Sequence, residues 1–323
     1  MTHQGNTQEL AIEARGLVKT FGDNRAVDGV DLLVPQGSIY GVLGPNGAGK
    51  STVINMLATL MKADSGSAKI FGYDVAKNPQ IVRQLIGVTG QTATVDETLS
   101  ATENLVIFGR LLGLTTSAAR AKSEELLEEF GLTEAAKRPL SKFSGGMRRR
   151  LDLAASLIVQ PPLIFLDEPT TGLDPRTRNQ LWDTIRTLVA KGSTILLTTQ
   201  YLDEADQLAD RIAVIDHGKV IIEGTPDELK AAAGVTTLHV ELTDDHKSAE
   251  TVHIIERILK AKVAINTPSE LSAPMADPES VTDLLIALRS AGIRLTQVSV
   301  QKPSLDEVFL ALTGSKNIVE ESI

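Results

Sequence analysis

Residues Tyr40–Leu57 read YGVLGPNGAGKSTVINML, an apolar strand run, a glycine-rich turn and a helix start in one unbroken stretch. The turn has the spacing G-x-x-x-x-G-K-S, running from Gly44 through Pro45, Asn46, Gly47 and Ala48 to Gly49, Lys50 and Ser51. Its three glycines permit backbone angles closed to residues with a Cβ, so that successive N–H groups can converge on phosphate oxygens. The helix that begins next adds the positive end of its dipole. Lys50 is placed to reach the β- and γ-phosphates, the Ser51 hydroxyl to ligate a bridging Mg²⁺, and Thr52 extends the polar rim. A strand-to-helix turn that held nothing would have no reason to match at every fixed position. The stretch predicts a bound nucleoside triphosphate in an α/β fold.

Composition narrows the class. The chain has 323 residues, of which 42% are hydrophobic, enough for one large domain and a small one. A net charge of -9 argues against a nucleic-acid partner, which would require a basic face to neutralise phosphates. There are no cysteines, which excludes disulfide and thiolate chemistry and fits a reducing cytosol. No apolar run approaches the length of a membrane span, and the start MTHQGNTQEL lacks a signal-peptide pattern, so the expectation is a chain that neither crosses a membrane nor is exported.

Outward from the phosphate loop, residues 1–9 read as a flexible polar tail. The segments LAIEARGLVKTF (10–21) and AVDGVDLLV (26–34) alternate as two antiparallel edge strands parted by the turn GDNR. Phe21 closes the first of them, where its ring could stack on a purine or simply fill a core. Past the loop, the helix is expected to end near Lys62, SGSAKIFGYDV (65–75) reads as turn, strand and turn, and Arg83–Thr89 as an apolar approach to Gly90 and Gln91. Gln91 could reach a metal or an attacking water, or be an ordinary loop amide. Two helical segments, ETLSATENLVIFGRLLGL (97–114) and AARAKSEELLEEFGL (118–132), then interrupt the core as a helical subdomain over about 95–160, with Gly131 as a helix stop.

Ser144, Gly145 and Gly146 stand directly before a helix, a second anion-binding nest or a plain cap, and the run Arg148–Arg150 behind them reads most simply as a solvated helix face, with an electrostatic role toward phosphate as the alternative. PPLIFLDEPTTGLDP (161–175) is an apolar strand ending in adjacent acids. Asp167 can hold Mg²⁺ there, and Glu168 can orient an attacking water. STILLTTQYL (193–202) is a further core strand running into Gln200, and the helix after it is expected to carry Asp203, Glu204 and Asp206 on solvent. A hairpin turning at His217 and Gly218, then the helix PDELKAAAG, close the first domain at residue 234.

Residues 235–323 change rhythm to β-α-β-β-α-β, the order of a small ferredoxin-like α+β domain. Val281, Leu284, Leu285 and Leu288 mark one helix stripe started by Asp277 and Pro278. In a last helix, Ser304 and Glu307 form a capping box, and Leu305, Val308, Phe309 and Leu312 share a face that is either core or a docking surface.

Phosphate loop, Gln91, S-G-G before a helix, L-D-E at a strand end and Gly172-Leu173-Asp174 occur in one order. In that combination the chain resembles the ATP-binding subunits of ABC transporters over roughly residues 10–230. The FSGGMRRR stretch and the LDEVFLALTG tail look like the daunorubicin-resistance type of drug exporter. The resemblance implies a phosphate-loop ATPase domain (10–234) with an antiparallel edge layer and a helical subdomain, and a regulatory or docking domain (235–323). It implies ATP and Mg²⁺, an ATP-dependent homodimer, an integral-membrane permease subunit as partner, and a peripheral place on the cytoplasmic side of the cell membrane. Residue by residue, Phe21 matches the adenine-stacking aromatic and Gly44–Thr52 the phosphate loop. Gln91 matches the glutamine that links the metal site to the membrane subunit, and Ser144, Gly145 and Gly146 the signature presented to the opposite subunit's ATP. Asp167 matches the metal-site acid, Glu168 the catalytic glutamate and Asp174 an aspartate that communicates across the dimer.

Two positions depart from the family pattern. Met147 stands where glutamine is frequent, and Gln200 where a switch histidine is common, so no proton relay through that residue is available. Rival readings are a soluble ABC ATPase acting on ribosomes or DNA, and the ATPase of a lipid or polysaccharide exporter. The first usually carries two cassettes or a long coiled coil, and this chain has one cassette and no long heptad run. The second shares every catalytic residue.

Overall fold

The computed structural model describes residues 9–89, 95–233, 236–277, 279–301, 303–306 and 308–309. The chain divides into two compact units, Met1–Thr225 and Pro226–Ile323. In the first, the strands are β1 (Leu10–Phe21), β2 (Asn24–Pro35), β3 (Ile39–Leu43), β4 (Ser65–Ile70), β5 (Tyr73–Asp74), β6 (Ile86–Thr89), β7 (Leu163–Asp167), β8 (Thr194–Thr199), β9 (Arg211–Asp216) and β10 (Lys219–Gly224). The helices are α1 (Lys50–Leu57), α2 (Pro79–Leu85), α3 (Ala101–Leu111), α4 (Thr116–Glu129), α5 (Gly145–Ser156), α6 (Pro175–Ala190) and α7 (Leu202–Leu208).

β3, β7 and β8 are buried at every position, as strands covered on both faces must be. They pair in parallel inside a six-stranded sheet of order β10-β9-β3-β8-β7-β6, so their carboxyl ends share the edge at which open α/β sheets bind ligands. The edge layer is a four-stranded antiparallel sheet of order β2-β1-β4-β5. Its Ile12, Val30 and Leu32 join Val53, Leu57 and Phe165 in one core. The helical subdomain contributes Leu105, Leu126, Phe130 and Leu151 to a second core shared with Ile164 and Leu166 of β7.

Helix boundaries differ from the sequence reading in two places. α1 ends at Leu57 rather than near Lys62, because Thr59 takes a left-handed φ of 63° that no helix continues through. Arg83 lies in α2, not in a strand: Pro79 opens a helix that buries Val82, and the extended run begins only at Ile86. Gly131, at φ 61°, follows the end of α4 as expected.

In the second unit, α8 (Pro226–Ala233) precedes β11 (Thr237–Leu242), α9 (Ser248–Leu259), β12 (Ala264–Ile265), β13 (Glu270–Pro274), α10 (Ser280–Ser290) and β14 (Leu295–Gln301). The sheet order β12-β13-β11-β14, antiparallel at every pairing, is the ferredoxin-like arrangement. Leu238, Val240 and Leu242 point to the helix side and pack with Ile255, Leu284 and Leu288. The α10 stripe is narrower than its periodicity suggests. It centres on Leu284 and Leu288 and leaves Leu285 exposed at its margin. Leu305 and Val308 are buried, in keeping with a core role, whereas Glu307 and Leu312 lie outside the described residues, as does Pro278. The unit boundary places α8 with this second body, where the sequence reading ended the first domain with it. Among the described residues no helix is long and apolar enough to cross a membrane.

Candidate active site at the phosphate loop

The glycines of the loop answer to specific obstacles. A Cβ on Gly44 would lie 2.2 Å from the Ile215 carbonyl oxygen, and one on Gly49, whose φ is 104°, 2.2 Å from that of Ala26. Neither position can carry a side chain without moving backbone. Lys50, first residue of α1, is only 4% exposed. Its Nζ donates to the carbonyls of Gly44 (2.8 Å) and Pro45 (3.0 Å) and lies 3.4 Å from Glu168 Oε1. A buried ammonium needs such a set of acceptors, and the carboxylate brings the acid at the end of β7 to the loop.

Asp167, the last residue of β7, is buried. Its Oδ1 accepts from Ser51 Oγ at 3.1 Å and from Thr198 Oγ1 at 2.5 Å. Glu168 follows with φ 49°, a left-handed conformation that costs a glutamate on the order of 1–3 kcal/mol. Its N–H donates to the Thr198 carbonyl at 3.1 Å, and its Oε2 accepts from Thr171 Oγ1 at 3.4 Å. Gln200, half-buried, is next to Thr199, whose carbonyl accepts from Gly44 N. Lys50, Ser51, Asp167, Glu168 and Gln200 therefore gather at one sheet edge, while Gln91 lies outside the described residues.

The arginine run is not a solvated face. From α5, Arg149 Nε donates to the Pro169 carbonyl (3.0 Å) and its Nη2 to those of Asp167 (2.8 Å) and Glu168 (3.3 Å). Arg148 pairs with Glu97 at 2.5 Å, and Arg150 Nη1 donates to the Phe130 carbonyl at 2.9 Å. Each guanidinium is spent on another element, because the helix packs on its flank rather than pointing it to water. A cavity of about 640 Å³ opens beside them, lined by Asn46, Gly145, Arg149 and Glu168 among others.

Ser144 caps α5, its Oγ accepting from Met147 N at 3.3 Å. A Cβ on Gly145 would meet nothing within 4 Å, so this end of the helix faces open space, whereas one on Gly146 would press Thr177 at 2.8 Å. Asp174 is the N-cap of α6. The Thr177 backbone N–H (3.0 Å) and then its hydroxyl (2.7 Å) hold the Asp174 carboxyl below the usual carboxylate range. Phe21 is 47% exposed with Lys19 Nζ 5.7 Å from its ring centre, which rules out the core reading of that residue.

The sequence profile of the ABC transporter family matches residues 27–171. A second profile, described as the C-terminal domain of DrrA1-3-like ATP-binding proteins, matches residues 224–313. The chain is 56% identical, over 96% of its length and 94% of the relative's, to the daunorubicin/doxorubicin resistance ATP-binding protein DrrA of Streptomyces peucetius. The chain belongs to the ATP-binding subunits of ABC transporters. It is also 47% identical to the doxorubicin resistance ATP-binding protein DrrA of Mycobacterium tuberculosis, over 94% of each chain. Among solved structures, a dimeric post-hydrolysis state of an ATP-binding cassette bound to ADP and phosphate matches with a TM-score of 0.61 at 25% identity, covering 66% of this chain and 98% of that one. This ABC ATPase is an ATP hydrolase whose turnover is coupled to transmembrane transport.

One prominent residue of the ABC ATPase was misplaced by its sequence. Asp203 is exposed and pairs with Arg178 at 3.2 Å, but Glu204 is fully buried on the inner face of α7 with Ala205 and Leu208. Its Oε1 accepts from Trp182 Nε1 at 3.3 Å. Burial pushes its carboxyl up from the ordinary 4.5, against the hydroxyls of Thr199 and Thr170 and the Trp182 N–H, which favour the charged form. Well below the ordinary value both folded and unfolded states are protonated and nothing is lost. As pH rises through it the unfolded state ionises first, so the folded state loses stability. A Glu204→Gln protein, which does not titrate, should gain melting temperature relative to the parent as pH rises above the ordinary carboxylate value of 4.5. A difference that stays constant with pH would contradict the buried-acid account.

Proposed function

We propose that this ATPase powers efflux of a hydrophobic drug or antibiotic of the daunorubicin type through a separate integral-membrane permease subunit, from the cytoplasmic side of the cell membrane. The observation that carries the substrate class is the near-full-length identity to the Streptomyces peucetius resistance protein, which extends through the second unit.

In this reading ATP lies with its phosphates on the Gly44–Thr52 loop and its purine toward Phe21. Lys50 exchanges the Gly44 and Pro45 carbonyls for phosphate oxygens. Glu168 accepts a proton from a water as that oxygen bonds to the γ-phosphorus and the bond to the β-phosphate oxygen breaks, leaving ADP. Ser51 Oγ and Asp167 Oδ1, 3.1 Å apart, form an all-oxygen donor pair at the strand end, the ligand type that Mg²⁺ takes. When bound there, the ion offsets charge on the β- and γ-phosphates. Thr198 holds the Asp167 carboxylate toward that position. The open Gly145 end of α5 is presented to ATP held by a second copy, so ATP favours the closed homodimer and phosphate release removes the contact.

Gln200 donates and accepts through its amide without titrating, so its role is to position phosphate and water. Gln200→Ala should lower turnover by about 10- to 1000-fold with ATP affinity little changed, and Gln200→His should keep substantial activity. ATPase rates and nucleotide affinities of the two variants check this. The functional reading itself is tested by isolating the protein from membranes with its co-purifying permease and following daunorubicin uptake into inside-out vesicles. ATP-dependent accumulation is expected. Recovery with ribosomes or DNA and no membrane partner would contradict it.

A further inference from the structure

We propose that Arg149 is the positioning residue for Glu168, holding the base in its working orientation from the signature helix of the same subunit. This rests on the reading of Glu168 as base.

In an extended strand successive carbonyls point to opposite sides, so one group cannot reach three in a row. At Glu168 the φ of 49° breaks that alternation. The carbonyls of Asp167, Glu168 and Pro169 turn to the same side and meet one guanidinium, at 2.8, 3.3 and 3.0 Å. A planar fork of five N–H donors suits that cluster, whereas an ammonium offers a compact charge with no fixed fan of donors. Arg149 holds the left-handed turn by its backbone and leaves the Glu168 carboxylate to Lys50 and Thr171. It projects from α5, whose first turn carries Ser144 and Gly145. The helix end directed at the partner's nucleotide and the base acting on the subunit's own nucleotide are thus joined by one side chain. Nothing in the run Arg148–Arg150 marks the middle residue. Only the packing of α5 against the end of β7 separates it from neighbours that bind Glu97 and Phe130.

Arg149 also faces the carboxylates of Asp152, Asp167, Glu204 and Glu168, so its removal changes charge as well as geometry. Arg149→Lys keeps the charge and loses the fork, which makes it the deciding variant. In the full-length chain, turnover should fall by about 10-fold in Arg149→Lys and about 100-fold in Arg149→Ala, the scale of losing an orienting partner. ATP affinity, read in a Glu168→Gln background that does not turn over, should stay within about twofold of that single variant for both. An Arg149→Lys protein with the parent's kcat, or an affinity that falls in step with kcat, overturns the proposal; if Arg149→Ala does not fold, the lysine variant alone decides. Glu168→Gln assayed alongside separates the two ideas. If it hydrolyses ATP at the parent's rate the base assignment fails, and if it is inactive while Arg149→Lys is as fast as the parent, only the positioning role fails.

Discussion

Glu168→Gln is expected to lower steady-state ATP turnover by about 100- to 10,000-fold, the range of a lost general base, while ATP stays bound. Glutamine preserves the length of the side chain and can set its one amide oxygen near Lys50 Nζ while its NH2 donates to Thr171 Oγ1, at the two places where Glu168 uses Oε1 and Oε2, 3.4 Å away in each case. What it cannot do is take the proton of the attacking water. It also removes a carboxylate that competes with phosphate for Lys50, so nucleotide should be retained at least as tightly as by the parent. Phosphate release and retained nucleotide are the two readings. Turnover near the parental rate removes the base role from Glu168.

Lys50→Ala should do the opposite to binding. Its ammonium is buried at the loop and held by the Gly44 and Pro45 carbonyls, which it gives up for phosphate oxygens when ATP arrives. A hydrogen bond to a charged group contributes about 1.5–3 kcal/mol, which corresponds to roughly 10- to 100-fold weaker ATP binding when one is lost. Turnover should fall further, because the same cation offsets charge that grows on the phosphates during the reaction. Titration of a labelled ATP against the variant and the parent measures the first effect; equal affinities would mean that Lys50 does not reach the phosphates.

Both predictions concern residues that their sequence neighbours already marked. The phosphate loop, the acid pair at the end of β7 and the fully buried strands were legible because local spacing and an unbroken apolar run are sufficient to specify them. The second unit was legible for the same reason, since the alternation Leu238, Val240, Leu242 and the stripe through Leu284 and Leu288 each show one period. Three things were not. Glu204 looks identical to Asp203 in an acidic helix, and only the closeness of Trp182 makes one a core residue. Arg149 is one of three consecutive arginines, and its role follows from where α5 meets β7. The end of α1 depends on the left-handed Thr59, for which no proline or glycine gives warning. In each case the deciding contact is long-range, or the deciding angle belongs to a residue type that adopts it rarely.

In the proposed cycle ATP closes two copies of this chain and hydrolysis releases them. Sedimentation velocity of the Glu168→Gln protein tests it directly. A monomer without nucleotide or with ADP, converting to a dimer with Mg²⁺-ATP and failing to do so when Lys50→Ala is added, is the predicted result. A protein that stays monomeric at saturating ATP, or that is dimeric whatever nucleotide is present, would contradict it.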